Sequence, residues 1–207
     1  MKHFFLSCAA LLVACITPIT AIAKVTLTSI WGDNMVLQQQ ADVKFTGTAK
    51  KNSKITIKAS WSDKRIMTQS DSNGRWQVTL HTTSAGGPYT ITFSDGEVLT
   101  LRNILLGEVW FCSGQSNMEM PVRGFKGQPV YGCQPYIVSA NPRRQLRLYT
   151  VQRDWSTTPK TEGVKGQWME LSSQAVGDFS ATAYFFGDLL QRSINVPVGL
   201  IHSSWSA

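Results

Sequence analysis

The sequence predicts an α/β domain over residues 104–207, preceded by a small all-β sandwich over residues 24–103. Short alternating strands separated by turn residues fill the first part, with no helical stretch between them. The second part opens with a nearly continuous apolar run, which is typical of a strand buried on both faces. A strand, a helix and a second apolar strand follow within 146–201, the order of a βα unit in a parallel sheet.

Residues 1–23 have the three regions of a secretory signal peptide. Lys2 supplies the positive charge, residues 4–16 form the apolar region, and a small-x-small cleavage site ends at Ala23. The apolar region is too short to cross a membrane as a helix. The sequence therefore predicts a secreted or periplasmic protein cleaved after Ala23. An alternative is lipidation at Cys15, which ends a string similar to a lipobox.

The predicted strands of the sandwich alternate apolar and polar residues between turn signals. They are placed at 25–30, 43–47, 53–59, 76–80, 89–93 and 98–101. Three tryptophans in this part, Trp31, Trp61 and Trp76, permit two interpretations. They could stack on sugar rings, as in a carbohydrate-binding module, or they could fill the core and cover sheet faces.

The apolar run that opens the α/β domain ends at a glycine-containing turn, where Ser116 lies between Gln115 and Asn117. Such a turn presents a hydroxyl at the carboxyl edge of a sheet, where open α/β sheets bind ligands. Ser116 is therefore a candidate nucleophile, and amides of the turn could bind an oxyanion. The string G-Q-S-N-M lacks the last glycine of G-x-S-x-G, which disfavours the α/β-hydrolases. The alternative is an ordinary polar turn.

The segment over 121–145 is rich in glycine and proline, and we expect it to form part of a wall facing the substrate. Arg123, Arg143 and Arg144 could bind a carboxylate there, or they could be solvated. Further strands are predicted at 146–151, 166–171 and 196–201. A helix is predicted from Ser180 to about residue 195, with Ser180 or Asp178 as its N-cap.

Composition excludes several functions. Hydrophobic content of 43% and charged content of 16% are typical of an ordinary globular protein. The formal charge of +7 is not gathered into runs longer than two basic residues, so no nucleic-acid surface is predicted. No cluster of cysteine and histidine has ligand spacing, so neither a metal site nor a cofactor is predicted. Cys112 and Cys133 could pair in an oxidising compartment, or Cys112 could be a free buried thiol.

Three strings resemble conserved blocks of the sialate O-acetylesterase family, a branch of the SGNH (GDSL-like) serine esterases. They are GEVWFCSGQSNMEMPV, IWGDNMVLQ and VPVGLIHSSW. The resemblance implies a flavodoxin-like parallel sheet beside a β domain, and it implies that Ser116 is the nucleophile. It further implies that Gln115, Asn117 and Ser206 are oxyanion or substrate-binding positions.

Serine ester hydrolysis also needs a general base and a group that orients it. His3 lies in the signal peptide and His81 in the β domain, which leaves His202 as the candidate by position. The alternative for His202 is a polar residue at a strand end. In the SGNH family the base comes from an Asp-x-x-His element near the C-terminus, which does not occur here. We therefore expect this chain to correspond to the N-terminal portion of a family member and to be inactive alone.

The resemblance implies a sialate O-acetylesterase, a carboxylic-ester hydrolase that removes O-acetyl groups from sialic acids. Two alternatives stay open. One is a non-catalytic carbohydrate-binding or vestigial module, and the other is an acetylesterase that acts on other acetylated polysaccharides. The expected partner is thus an O-acetylated sialic acid or another acetylated glycan. Neither a nucleic acid nor a membrane span is expected, and the oligomeric state is left open.

Overall fold

The computed structural model describes residues 24–158 and 163–205. Its strands are β1 Thr26–Leu27, β2 Val36–Gln38, β3 Asp42–Thr48, β4 Lys54–Ala59, β5 Arg65–Gln69, β6 Arg75–His81, β7 Gly86–Ser94, β8 Val98–Gly114, β9 Leu146–Thr150, β10 Trp168–Glu170 and β11 Val198–Ser204. Its helices are α1 Ser116–Glu119, α2 Gln134–Val138, α3 Ser173–Asp178 and α4 Ala181–Ile194. The predicted signal peptide and the predicted site residue Ser206 lie outside the described residues.

Strand β8 connects the two predicted domains. It pairs antiparallel with β7 in its first half, and β2 pairs in parallel with its centre. Its last seven residues pair in parallel with β11, which in turn pairs in parallel with β9. The sheet runs in the order β10-β9-β11-β8-β7-β4-β5. The expected parallel sheet is therefore the three-stranded portion β9-β11-β8 of a mixed sheet, with antiparallel neighbours on either side.

A second sheet, in the order β1-β3-β6, packs on the β4–β7–β8 region. The ring of Phe45 on β3 lies 5.7 Å from that of Phe93 on β7, and Trp76 on β6 lies at the same distance from Phe93. Strands β4 and β6 alternate between buried and exposed residues, as predicted from their sequence. Each fully buried large apolar side chain contributes about 1.5–3 kcal/mol, so this core is a major source of stability.

The three tryptophans of residues 24–103 pack against other aromatic rings. Trp76 is buried, and the ring of Trp31 lies 4.4 Å from that of Phe45. Trp61 meets Tyr89 edge-on, with ring centroids 5.5 Å apart. These contacts favour the packing interpretation over sugar stacking. The boundary placed between residues 103 and 104 stays a prediction, because β8 runs through it.

Polar side chains fix the strand register where β8 passes from one part to the other. Asn103 adopts a left-handed backbone conformation, and its amide donates to Asn34 at 2.7 Å and to Glu170 at 3.1 Å. The Glu108 carboxylate accepts from Gln39 and Gln38, and these hydrogen bonds hold the pKa of Glu108 below its usual value. Both groups of contacts join segments about 70 residues apart in the chain.

The helix predicted near the end of the chain is α4. Ser180 caps it by accepting a hydrogen bond from the Ala183 amide at 3.2 Å, so Ser180 and not Asp178 is the N-cap. Asn195 closes it in a left-handed conformation. Helix α4 packs closely on β11, because a Cβ at Gly187 would lie 2.9 Å from a methyl group of Leu200. The predicted strands at 146–151, 166–171 and 196–201 correspond to β9, β10 and β11.

A second core lies between the β9–β11–β8 sheet and helices α3 and α4. Cys112 and Cys133 both belong to it, and both are buried free thiols. Burial raises the pKa of Cys112, as expected for a thiol in apolar surroundings. No helix in the described part of the chain is long and apolar enough to cross a membrane.

The close approach of β8 to the start of β11 generates the first testable prediction. A Cβ at Gly107 would lie 2.7 Å from the carbonyl carbon of Pro197, so Gly107→Ala must displace one strand. We expect a loss of about 1–3 kcal/mol in the free energy of unfolding, measured by urea denaturation. Gly32→Ala is the matched control, since the nearest atom to its Cβ would be 3.9 Å away. An equal unfolding midpoint for the two variants would contradict this account.

Candidate functional site

Ser116 lies one turn beyond the carboxyl end of β8, at the edge of the parallel portion of the sheet. Strand β8 ends at Gly114, and α1 begins at Ser116. Gln115, Ser116 and Asn117 are all exposed. Gly114 permits the tight turn, because a Cβ there would lie 3.0 Å from the Cβ of Met118. The structure thus brings the three predicted turn residues together on an accessible surface.

The short helix α1 is held against the start of α4. The Thr182 hydroxyl donates to the Asn117 carbonyl at 2.9 Å, and the Ala181 amide donates to the Met120 carbonyl at 2.8 Å. The Ser180 hydroxyl lies 3.3 Å from the sulfur of Met118. These contacts hold the backbone that follows Ser116, and the pairing of β8 with β11 holds the backbone up to Gly114. The serine is therefore exposed but mounted on a rigid support.

The polar groups at the start of α1 have few protein partners. The Gln115 side chain makes no capping hydrogen bond. The first amides of a helix lack acceptors within the helix, so those of α1 are open to an incoming group. Among the described residues, no side chain forms a hydrogen bond with the Ser116 hydroxyl. The arrangement offers a hydroxyl and neighbouring amide donors to the same small volume.

A cleft of about 1190 Å³ opens beside this turn. Its floor is formed by the carboxyl ends of β8 and β11, and its walls come from the segments 151–158 and 163–165 and from the end of the described chain. The lining residues are Ser113, Gly114, Val151, Gln152, Arg153, Asp154, Trp155, Ser156, Thr158, Gly163, Val164, Lys165, Ser203, Ser204 and Trp205. It therefore lies at the sheet edge where α/β proteins bind their ligands.

An ion pair links the turn that carries Ser116 to the wall of the cleft. Glu119 on α1 is buried, with 9% of its surface exposed, and its carboxylate pairs with the Arg153 guanidinium. The carbon at the centre of that guanidinium lies 6.0 Å from the ring centroid of Trp205, within cation–π range. Glu119 and Arg153 were not predicted as site residues. A buried carboxylate needs a cation, and only the fold shows which one.

His202 does not meet Ser116. The histidine is buried, and its Nε2 forms a hydrogen bond of 2.6 Å with the hydroxyl of Ser204. Its ring lies edge-on to Phe179 at 5.4 Å, and its Nδ1 has no hydrogen-bond partner among the described residues. This environment fits a buried strand-end residue better than a general base for Ser116.

Burial lowers the pKa of His202, and the charge of Arg153 acts in the same direction. The backbone of Met118 opposes the shift, although its contact with the ring falls outside normal hydrogen-bond geometry. The Nδ1 atom is buried without a hydrogen-bond partner among the described residues, so burial dominates and the neutral imidazole is favoured in the folded protein.

None of the three arginines of the 121–145 segment lines the cleft. Arg123 pairs with Asp178 at 3.0 Å, and Arg144 pairs with Asp188 and donates to Gln191 at 2.9 Å. Arg143 is exposed. No residue of the segment lines the cleft, whose walls are formed by later residues. Sequence reasoning missed them because their aromatic and charged side chains follow no strand or helix period.

Comparisons with known proteins agree with the resemblance stated from the sequence. No family model matches the chain. Sialate O-acetylesterase of Rattus norvegicus is 27% identical over 154 residues, which are 69% of this chain and 28% of that protein. The enzyme of Homo sapiens is 26% identical over 190 residues, which are 84% of this chain and 35% of that protein.

Among solved structures, a carbohydrate acetylesterase from Xanthomonas citri is 32% identical and superimposes with a TM-score of 0.80. The match covers 88% of this chain and 40% of that protein. The suspected relationship to the sialate O-acetylesterases is confirmed by these relatives. The chain spans about a third of the length of the curated relatives it matches.

The contact between α1 and the cleft wall can be tested through stability. Arg153→Met leaves the buried Glu119 carboxylate without its cation, and we expect it to lower the free energy of unfolding by about 1–2 kcal/mol. The expected loss is moderate because about half of the Arg153 side chain is exposed to solvent. Arg123→Met is the matched control, since that residue pairs with a carboxylate that is itself exposed, and it should cost less than about 1 kcal/mol. Equal losses of stability in the two variants would show that the burial of Glu119 does not raise the cost of breaking its ion pair.

The lowered pKa of His202 generates a prediction about acid stability. Below about pH 6.5 the unfolded chain binds a proton at this position more readily than the folded chain, so stability falls with acidification. We expect His202→Asn to lose less stability between pH 7 and pH 5 than the parent, measured by urea unfolding at each pH. His81→Asn, at an exposed histidine, is the matched control. If the free energy of unfolding of His202→Asn fell with pH as steeply as that of the parent, the account of a neutral buried imidazole would be wrong.

Proposed function

We propose that this chain, a relative of the sialate O-acetylesterases, is part of a carbohydrate esterase. That enzyme removes acetyl groups from sugar hydroxyls through Ser116. The observation that carries the proposal is the exposed Ser116 hydroxyl, rigidly mounted at the carboxyl edge of a parallel sheet beside an open cleft. The fold shared with a carbohydrate acetylesterase supports it. Fold alone would not, because function depends on the groups of the site.

In the proposed reaction, the Ser116 oxygen attacks the acetyl carbonyl carbon and its proton passes to a general base. The carbonyl oxygen becomes an oxyanion, and the amides at the start of α1 stabilise it. When the tetrahedral intermediate collapses, the bond between the carbonyl carbon and the sugar oxygen breaks. The sugar oxygen takes the proton from the base. Water then attacks the acetyl-enzyme in the same manner, releasing acetate and restoring Ser116.

The roles of the other predicted positions follow the same chemistry. We propose that main-chain amides near Ser116 and Asn117 donate to the oxyanion and that the Gln115 side chain meets the substrate. Ser206 is proposed as a further amide donor beyond the end of β11. These donors act only if they already point to where the negative charge develops.

The general base is proposed to come from outside the described residues. His202 is held by Ser204 and kept neutral by burial, and no described histidine contacts Ser116. A base must lie within hydrogen-bond reach of the nucleophile, directly or through one water. We therefore propose that this chain is the nucleophile-bearing portion of the enzyme and that it does not hydrolyse esters alone.

We propose an O-acetylated sialic acid as the substrate, since the curated relatives are named for that activity. An acetylated polysaccharide is the second candidate, because the relative of known structure is named more generally as a carbohydrate acetylesterase. We also propose that the protein is secreted or periplasmic and cleaved after Ala23, as the signal-peptide pattern of residues 1–23 predicts.

The proposal is tested with the complete protein encoded by the gene that contains these 207 residues. It should release acetate from an O-acetylated sialic acid or from an acetylated polysaccharide, and Ser116→Ala should lower kcat by at least about 1000-fold. The fall is expected because the acetyl-enzyme cannot form without the hydroxyl. Acetate release by a coupled assay is the measurement.

Ser139→Ala is the matched control, because Ser139 is an exposed loop serine after α2 with no place in the site. It should keep wild-type activity and wild-type thermal stability. Full activity in Ser116→Ala would show that another residue is the nucleophile. Glycan binding by the complete protein without any acetate release would favour the non-catalytic module.

A further inference from the structure

We propose that the cleft beside Ser116 binds a sugar ring on two aromatic platforms, Trp155 and Trp205, and that these residues select a carbohydrate ester over other acetyl esters. The inference rests on the proposed function and deepens it by naming the residues that would recognise the glycan. It uses the cleft's own side chains and does not depend on which residue supplies the general base.

The exposure of the two indoles is the first argument. Trp155 is 76% exposed and Trp205 is 51% exposed, and both line the same cleft. Aromatic rings of this size are usually buried for most of their area, as Trp76 is. Both rings therefore offer an apolar face to a ligand that enters the cleft. An indole offers an apolar face for the C–H groups of a sugar ring and an N–H for its hydroxyls.

The second argument is that the Trp205 platform is supported before any ligand arrives. The guanidinium of Arg153 lies under its ring, and the same guanidinium is held by the buried carboxylate of Glu119. Trp205 is therefore connected through two contacts to α1, the helix that begins with Ser116. A ligand that stacks on Trp205 meets a surface whose position is set relative to the nucleophile. Such preorganisation lowers the entropy cost of binding.

The third argument concerns the polar groups that line the same cleft. Gln152 and Ser156 supply amide and hydroxyl groups, which suit the many hydroxyls of a sugar. The positive charge of Arg153 is already matched by Glu119. The remaining charged residues of the lining are Lys165 and Asp154, whose formal charges cancel. The lining thus offers hydrogen-bonding groups to a polyhydroxylated ring, whether or not that ring carries a carboxylate.

The position of the cleft makes this binding productive. Ser113 and Gly114, which line it, lie three and two residues before Ser116 on the same chain segment. A ring seated between the walls would carry its acetyl substituent toward the turn. The sugar would then be the alcohol part of the ester, which agrees with the bond broken in the proposed reaction. Binding energy that holds the sugar in place accelerates the reaction at its acetyl group, because it orients the reacting groups.

The test measures binding by isothermal titration calorimetry on the full chain, without requiring catalysis. The two probes are acetylated xylo-oligosaccharides, which are uncharged, and 9-O-acetylated N-acetylneuraminic acid, which carries a carboxylate. Saturable binding of at least one probe is expected. Trp155→Ala and Trp205→Ala should each weaken it by about tenfold, and Trp155→Phe should restore most of the affinity by keeping an aromatic face.

Trp110→Ala is the matched control. Trp110 is 44% exposed, but it meets Phe186 edge-on outside the cleft, so its removal should leave the affinity unchanged. Thermal unfolding of every variant shows whether it is folded. No saturable binding of either probe by the parent chain would overturn the proposal, and so would equal affinities in the parent and both cleft variants.

The comparison between probes identifies the ligand class. Tighter binding of the carboxylated sugar, weakened in Lys165→Ala, supports a sialic acid ester as the ligand, and tighter binding of the neutral probe supports an acetylated polysaccharide. Equal binding of the two probes supports recognition through the ring faces alone. Failure of the esterase proposal looks different. In that case Ser116→Ala keeps full acetate release in the complete protein, whatever the two tryptophan variants do to binding.

Discussion

One constraint shapes most of this structure: a single 17-residue strand, β8, serves two different packing environments. Its first half is half-buried, antiparallel and part of an aromatic core. Its second half is parallel to β11 and ends at the turn that carries Ser116. The two halves cannot shift independently, because a slip of one residue would turn every side chain of β8 to the other face. The register set by the first core therefore also sets the position of Ser116.

The polar contacts at the junction fix this register. Asn103, Glu108 and Glu170 each bond to residues far away in sequence, at the point where β8 changes partners. Contacts of this kind add little net stability when their groups are partly solvated. A wrong register, however, would leave several buried polar groups without partners, and that cost is larger. Their role is to make the native register of the strands much more stable than the registers shifted by one residue.

Much of the secondary structure could be predicted from the sequence, because it depends on local patterns. The alternation in β4 and β6, the strand before Ser116 and the capped helix from Ser180 all follow from side-chain period and capping chemistry. The cleft could not be predicted in the same way. Arg153 and Trp155 lie in an irregular segment. The importance of Arg153 depends on contacts with α1 and with Trp205, more than 30 residues away in either direction.

The two polar residues that sequence reasoning compared as partners, Ser116 and His202, show why proximity to a sheet edge is not enough for catalysis. Both lie at the carboxyl ends of adjacent parallel strands, yet one is exposed and the other buried. His202 points into the layer of α3 and α4, where Phe179 covers its ring and Ser204 occupies Nε2. A base for Ser116 must approach from the solvent side, where the cleft is open. The same opening exposes Trp155 and Trp205, so the base and the sugar would reach the serine from one face of the sheet.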